Sequence, residues 1–304
     1  MLLKRSVIES THKSRETEET LDVIFYRPLG YLMALASMKA GITPNAVTIF
    51  SIFVGVIAGH FFYYDNLSLN LIGILLLIWA EALDSTDGQL ARMTNNKSMY
   101  GRILDGFGGN MWFVSIYIHL ILRLVNSANP SVIIIFAVTC GISHSMQSAM
   151  ADYYRNLYML IVFGNDKSEI ETSDKLNRKY KQLSWRKNFG KKLLMRLYVN
   201  YTFEQEFISP AAYSLLNMLS TIKSVPENIS AEYRFQNRKM IKYYNILTTN
   251  TRMIVLFIST LAGYPVLYFV FEATVLNILL LYVVKVQEKN SRSTHVKLLK
   301  AGYV

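Results

Sequence analysis

The chain has 304 residues, 52% of them hydrophobic, with a mean hydropathy of +0.23 and a formal net charge of +11. Such a composition excludes intrinsic disorder, and a single cysteine, Cys140, excludes an internal disulfide framework and a cysteine-cluster metal site. Nucleic acid is excluded as a partner despite a pI of about 9.5, because apolar runs of membrane length separate the basic clusters.

The first twenty residues are charged and polar (Lys4, Arg5, Glu9, Lys13, Arg15, Glu16, Glu18, Glu19) and hold no apolar h-region or cleavage site, so no signal peptide is expected. From Leu21 to Ala36 the apolar residues Leu21, Ile24, Phe25, Leu29, Leu32, Met33 and Ala36 recur at helical spacing, with Asp22 and Arg27 between them. That pattern suits a helix lying in the bilayer interface, and equally an amphipathic helix packed on its own domain. Thr43-Pro44-Asn45 then supplies an N-cap followed by proline at the first helical position, and the apolar run to Tyr63 is long enough to cross about 30 Å of hydrocarbon. The same length rule predicts further spans at 69–91, 101–124, 131–160, 251–262 and 264–284, the last two joined by a tight turn at Gly263-Tyr264-Pro265. The expected fold is all-α, an integral-membrane six-helix bundle with an N-terminal interfacial helix and an insertion between spans four and five. Its domains read as 1–42, the N-terminus with the interfacial helix; 43–164, spans one to four; 165–248, a basic insertion; 249–286, spans five and six; and 287–304, a tail.

Cytoplasmic loops are enriched in Lys and Arg. Linkers 64–68 and 125–130 contain neither, whereas the N-terminus, the segment with Arg92, Lys97 and Arg102, the region after Arg155 and the tail with Lys285, Lys289, Arg292, Lys297 and Lys300 all do. Both termini and the insertion are therefore expected in the cytoplasm, with Arg123 as the exception at the outer end of span three. The insertion begins with a basic and aromatic run (Lys175, Arg178, Lys179, Lys181, Trp185, Arg186, Lys187, Lys191, Lys192, Arg196). It reads either as a binder of anionic lipid headgroups or as a solvated helical face.

Carboxylates stand where spans two and three meet the cytoplasmic surface. Asp84, Asp87, Gly88 and Ala91 fall at i, i+3, i+4 and i+7, on one helical face, Arg92 follows, and Gly101 and Asp105 are one turn apart in the next span. An ionised Asp at the centre of a spanning helix costs about 2.5 to 3.5 kcal/mol, so three converging ones call for a compensating cation. All-carboxylate ligation favours Mg²⁺ or Mn²⁺, ions that bridge carboxylates to substrate phosphates. Gly88 and Gly101 open room between helices, and Arg92 can pair with a phosphate in bidentate geometry.

The pattern Asp84-x2-Asp87-Gly88-x2-Ala91-Arg92-x8-Gly101-x3-Asp105 resembles the signature of the CDP-alcohol phosphatidyltransferases, membrane enzymes of phospholipid synthesis. Thr43-Pro44-Asn45-Ala46-Val47-Thr48 is similar to the segment opening that family's first span; the likeness does not extend to the 165–248 insertion. The resemblance implies transfer of a phosphatidyl or substituted phosphoryl group from a CDP-alcohol to an acceptor hydroxyl, with CMP leaving. CDP-diacylglycerol is the expected donor, on the span count, and the acceptor is a polyol such as an inositol phosphate. Carried over by position, Asp84, Asp87 and Asp105 would hold two divalent ions, while Asp87, Gly88, Ala91, Arg92 and Gly101 would line the CDP pocket.

The family pattern continues with a fourth aspartate four positions after the third, as the base for the acceptor's proton, and here that position is Gly109, followed by Asn110. A carboxamide can ligate a metal but cannot act as a base at neutral pH. Asn110 lies about 140° around a regular helix from Asp105, so its use as a catalytic or metal-binding residue needs a π-bulge, which Gly106, Gly108 and Gly109 would tolerate. The bulged register is the expectation; a base supplied elsewhere and an inactive protein stay open. Glu81 and Asp152 are the substitute bases, and Arg155 and Arg252, at helix ends, would receive an anionic acceptor. His144, Gln147, Ala151 and Arg155 share one face. A CDP-aminoalcohol transferase and a non-catalytic CDP-lipid-binding relative are the alternatives, and a homodimer stays open. An ion pathway is disfavoured, since it leaves Gly88, Arg92 and Gly101 without a role.

Overall fold

Helix starts follow the capping residues of the sequence. The Thr43 side chain accepts a hydrogen bond from the Ala46 amide at 3.3 Å, ahead of Pro44, and Asn66 accepts from Leu69 at 3.1 Å. The computed structural model describes residues 14, 16–125, 130–164, 168, 170–222 and 224–303. Expectations for residues 1–13, for Arg15 and for the linker residues 126–129 lie outside the described residues. All regular elements among them are helical: α1 (Arg27–Lys39, entered through a π-helical turn, Asp22–Tyr26), α2 (Pro44–Phe61), α3 (Leu67–Met93), α4 (Met99–Val125), α5 (Pro130–Phe163), α6 (Ser173–Gln182), α7 (Phe189–Ile208), α8 (Pro210–Leu219), α9 (Glu227–Asn237), α10 (Ile241–Ile246), α11 (Thr249–Leu261), α12 (Val266–Phe271) and α13 (Asn277–Lys300).

The chain forms two units, Met1–Ile142 with Arg252–Ala273, and Ser143–Thr251 with Thr274–Val304. In the first, α2, α3 and α4 pack around Val54, Ala58, Leu77, Ala80, Trp112 and Ile116. Small residues set how closely they approach: a Cβ at Gly55 would lie 2.2 Å from Trp112, and one at Gly59 would lie 2.4 Å from Ser115 Oγ. Ser115 Oγ instead donates to the Val56 carbonyl at 2.8 Å. Helix α1 packs on α3, where Gln89 Nε2 donates to the Arg27 carbonyl at 3.0 Å; it buries Tyr31 and Ala34 and leaves Leu32 and Met38 exposed. The Arg123 exception has a local cause. Its guanidinium pairs with Asp65 and donates to Asn70 Oδ1 at 3.1 Å, so it stitches α4 to the α2–α3 loop and carries little free charge.

Among the described residues, five helices are long and apolar enough to cross a membrane, α2, α3, α4, α5 and the continuous run Val266–Lys300, so the protein is read as multi-pass. The expected fifth span is formed as α11, but its 13 residues reach only about 20 Å. Gly263, at φ +78°, turns the chain back into α12.

In the second unit the insertion is a set of helices pinned by polar contacts. Glu206 of α7 accepts from the Ser173 amide at 2.8 Å, at the start of α6. Glu288 of α13 accepts from the Ala211 amide at 3.1 Å, at the start of α8. Gln287 bridges the hydroxyls of Tyr233 and Tyr244 in the interior, and Asn277 joins Gln147 at 2.8 Å to Ser143 at 3.0 Å.

Candidate metal and substrate site

Helix α3 ends at Thr94, Asn95 takes a left-handed conformation at φ 51°, and Ser98 Oγ accepts from the Gly101 amide at 2.9 Å to open α4. This short reversal returns the chain alongside itself. As a result Asp84 and Asp87 of α3 and Asp105 of α4 bring one oxygen each within 4.8 Å of one another. Asp87 is 4% exposed and the other two are half-buried.

The start of α2 completes the corner. Thr48 Oγ1 donates to Asp87 Oδ2, and a Cβ at position 101 would lie 2.7 Å from Asn45 Oδ1. Thr48 therefore fixes the orientation of the Asp87 carboxylate, a contact that the carboxylate pattern alone does not reveal; its signal was the Thr43–Thr48 segment ahead of span one. Arg92, one turn past Gly88, has Nε and Nη2 buried without a hydrogen-bond partner among the described residues. A buried guanidinium with unsatisfied donors is matched by a phosphate. The three carboxylates supply only hard oxygen donors, and such a set fits Mg²⁺ or Mn²⁺.

The structure departs from the bulged register. Helix α4 is α-helical throughout, and the Asn110 side chain is exposed and donates to the Gly106 carbonyl at 3.0 Å. Gly109 therefore takes the position one turn on from Asp105, and a Cβ there would meet nothing within 4 Å. Glu81 lies half-buried one turn before Asp84. Arg252 is fully buried, and its Nε donates to Glu272 at 2.9 Å, so its charge is committed to a partner rather than open to an acceptor. Asp152 and Arg155 are half-buried in the second unit, where Asp152 accepts from Asn156 at 2.8 Å.

Residues 41–163 match the family model for CDP-alcohol phosphatidyltransferase. That segment belongs to the family. It holds all three carboxylates together with Thr48, Arg92 and Gly101. The chain is also 33% identical over 85 residues to an uncharacterized protein of Aquifex aeolicus, covering 27% of this chain and 42% of the relative. It is 44% identical over 71 residues to the archaetidylinositol phosphate synthase of Pyrococcus horikoshii, covering 23% and 35% respectively. The chain spans less than half the length of these curated relatives.

Proposed function

We propose that this protein is a membrane phosphotransferase of phospholipid synthesis, moving a phosphatidyl group from CDP-diacylglycerol to a hydroxyl of a polyol acceptor and releasing CMP. The observation that carries this reading is the convergence of Asp84, Asp87 and Asp105 beside the unsatisfied guanidinium of Arg92. Asp84, Asp87 and Asp105 would hold two Mg²⁺ or Mn²⁺ ions, which when bound neutralise the diphosphate and the developing charge on the leaving CMP. Thr48 holds the Asp87 carboxylate in one orientation, and Arg92 pairs with a phosphate of the donor. Gly88, Ala91 and Gly101 keep the wall beside the nucleotide low. The bond to the acceptor oxygen forms as the bond to CMP breaks, and the acceptor's proton leaves to solvent, since position 109 offers no carboxylate. An inositol phosphate is the acceptor best supported, through the similarity to an archaetidylinositol phosphate synthase. Arg155 and Asp152 are the remaining acceptor candidates.

The topology goes with this reading. We take both termini, residues 165–248 and the carboxylate cluster to be cytoplasmic, and α11 to complete an even number of crossings. An odd number would put the basic tail opposite the basic insertion, against the charge rule.

A second reading, a non-catalytic CDP-lipid-binding relative, is favoured by the side-chain-free position 109 and by the turn of Asn110 away to Gly106. One experiment separates them. Purified full-length protein with Mg²⁺ or Mn²⁺ is given CDP-diacylglycerol or CDP-ethanolamine and a panel of acceptors, including inositol phosphate, and CMP is measured. Acceptor-dependent CMP release from CDP-diacylglycerol supports the proposal, release from CDP-ethanolamine moves the donor class, and donor binding without release selects the second reading.

A further inference from the structure

Between Ser173 and Leu197 the chain carries nine Lys and Arg against one acidic residue, Asp174. This run forms α6, the turn after it and the first half of α7. Helix α7 buries Met195, Val199, Thr202 and Glu206, positions i, i+4, i+7 and i+11 that define one face. Away from that face, Phe189, Leu193, Leu197, Phe203 and Phe207 occupy an exposed sector that they share with Arg196, Asn200 and the half-buried Glu204, and Phe203 and Phe207 are 60% and 78% exposed. Trp185 in the turn extends the stripe, its ring 5.7 Å from that of Phe189. Five large apolar side chains exposed along one sector of a helix, interspersed with polar ones, call for a partner that can take both.

The charge around the stripe says what covers it. Arg186, Lys187, Lys191 and Arg196 are exposed at its basic end. Two copies of this chain meeting face to face would bring those like charges together, which disfavours a second copy. An anionic surface is the complementary partner, and for a multi-pass protein the lipid headgroups are held beside it at high effective concentration. Exposed Trp and Phe next to Lys and Arg is also the composition of an interfacial helix.

We propose that α7 docks through Phe189, Leu193, Leu197, Phe203 and Phe207 on the anionic lipid surface of the bilayer that holds the spans, with Trp185 at headgroup level and the flanking cations on lipid phosphates. This stands apart from the transferase reading, because no residue of the carboxylate site takes part.

The test uses full-length protein carrying Cys140→Ser, with thermal unfolding at the parent's midpoint as the fold control. Single cysteines at Leu193, Phe203 and Phe207, and at exposed Gln182 as the aqueous control, are spin-labelled. The protein is placed in phosphatidylcholine nanodiscs with or without phosphatidylglycerol, and collision with oxygen and with a water-soluble nickel chelate is compared. With phosphatidylglycerol, labels at 193, 203 and 207 should favour oxygen while 182 favours nickel. Each cation near an anionic surface contributes about fivefold. Lys187→Gln, Lys191→Gln and Arg196→Gln together should therefore lower the docking constant about a hundredfold and restore nickel access. Nickel access at 193, 203 and 207 in the phosphatidylglycerol discs overturns the proposal. So does protection from both reagents with spin broadening between copies, which identifies a second copy as the cover. An oxygen preference that survives both removal of phosphatidylglycerol and loss of the three charges overturns the anionic-lipid assignment.

Discussion

Replacing Gly109 with aspartate should convert the site to one with a base. Positions 105 and 109 are one turn apart in a regular helix, which sets their Cβ atoms about 5 to 6 Å apart on the same face. The space is available, since a Cβ at 109 meets nothing within 4 Å. Removing a mid-helix glycine gains a few tenths of a kcal/mol for aspartate, and a like charge one turn from Asp105 costs about 0.2 to 0.5 kcal/mol, so the thermal midpoint should stay within about two degrees. A positioned general base is worth roughly 10² to 10⁴ in rate, or about 2.7 to 5.4 kcal/mol of barrier. Single-turnover CMP release with saturating donor and acceptor isolates that step. Asn110→Asp is the matched control and should leave turnover at the parent level, because its side chain lies on another face and is bonded to Gly106. The reasoning fails if Gly109→Asp does not exceed the parent, or if Asn110→Asp is the activating change. The second result would mean that the helix is bulged during catalysis.

Asp87→Asn and Asp105→Asn should each abolish turnover and weaken Mn²⁺ binding, read by the loss of free Mn²⁺ paramagnetic signal, because an amide compensates a cation poorly; full activity in either would exclude the carboxylate site. Thr48→Val keeps the shape of the side chain and removes its hydrogen bond to Asp87, so Mn²⁺ affinity should fall about 10- to 100-fold with the fold intact. Arg252→Met or Glu272→Met alone strands a buried charge and should cost about 3 to 5 kcal/mol in detergent unfolding, while the double variant should recover most of it. A cysteine at Lys181 should resist labelling from outside sealed cells; labelling there would invert the topology.

The carboxylate site was legible because it depends on local helical spacing and one short reversal. Asp84, Asp87 and Asp105 need only period and proximity in sequence to converge, and Asn95 with Ser98 supplies the turn. Arg252 was not legible in the same way. Its partner Glu272 is twenty residues away in what reads as another apolar span, and the two meet only because Gly263 folds α11 back on α12. The length of the fifth apolar helix was hard to read for a related reason: hydrophobicity continues on both sides of Gly263, but the turn there limits α11 to 13 residues. Nor could the insertion's helices be placed from sequence, since the contacts that pin them, such as Glu288 with Ala211, join residues 77 positions apart.

The bulge at Gly109 was expected from local flexibility, and packing explains why it does not form. Glycines in α4 are of two kinds. Gly108 faces α2, where a Cβ would lie 2.8 Å from Ile52, and the next turn locks Trp112 against Gly55. An extra residue inserted between Asp105 and Trp112 would rotate one of these out of register, at the cost of a close-packed helix contact. Gly106 and Gly109, by contrast, meet nothing within 4 Å and are not needed for packing. Their lack of side chains lowers helix propensity without a structural return, at about 1 kcal/mol each relative to alanine. Sequence that is costly for the fold and unused by the core is explained by what it leaves room for, and here that room lies on the turns that carry Asp105, where the proposed reaction would bring donor and acceptor together.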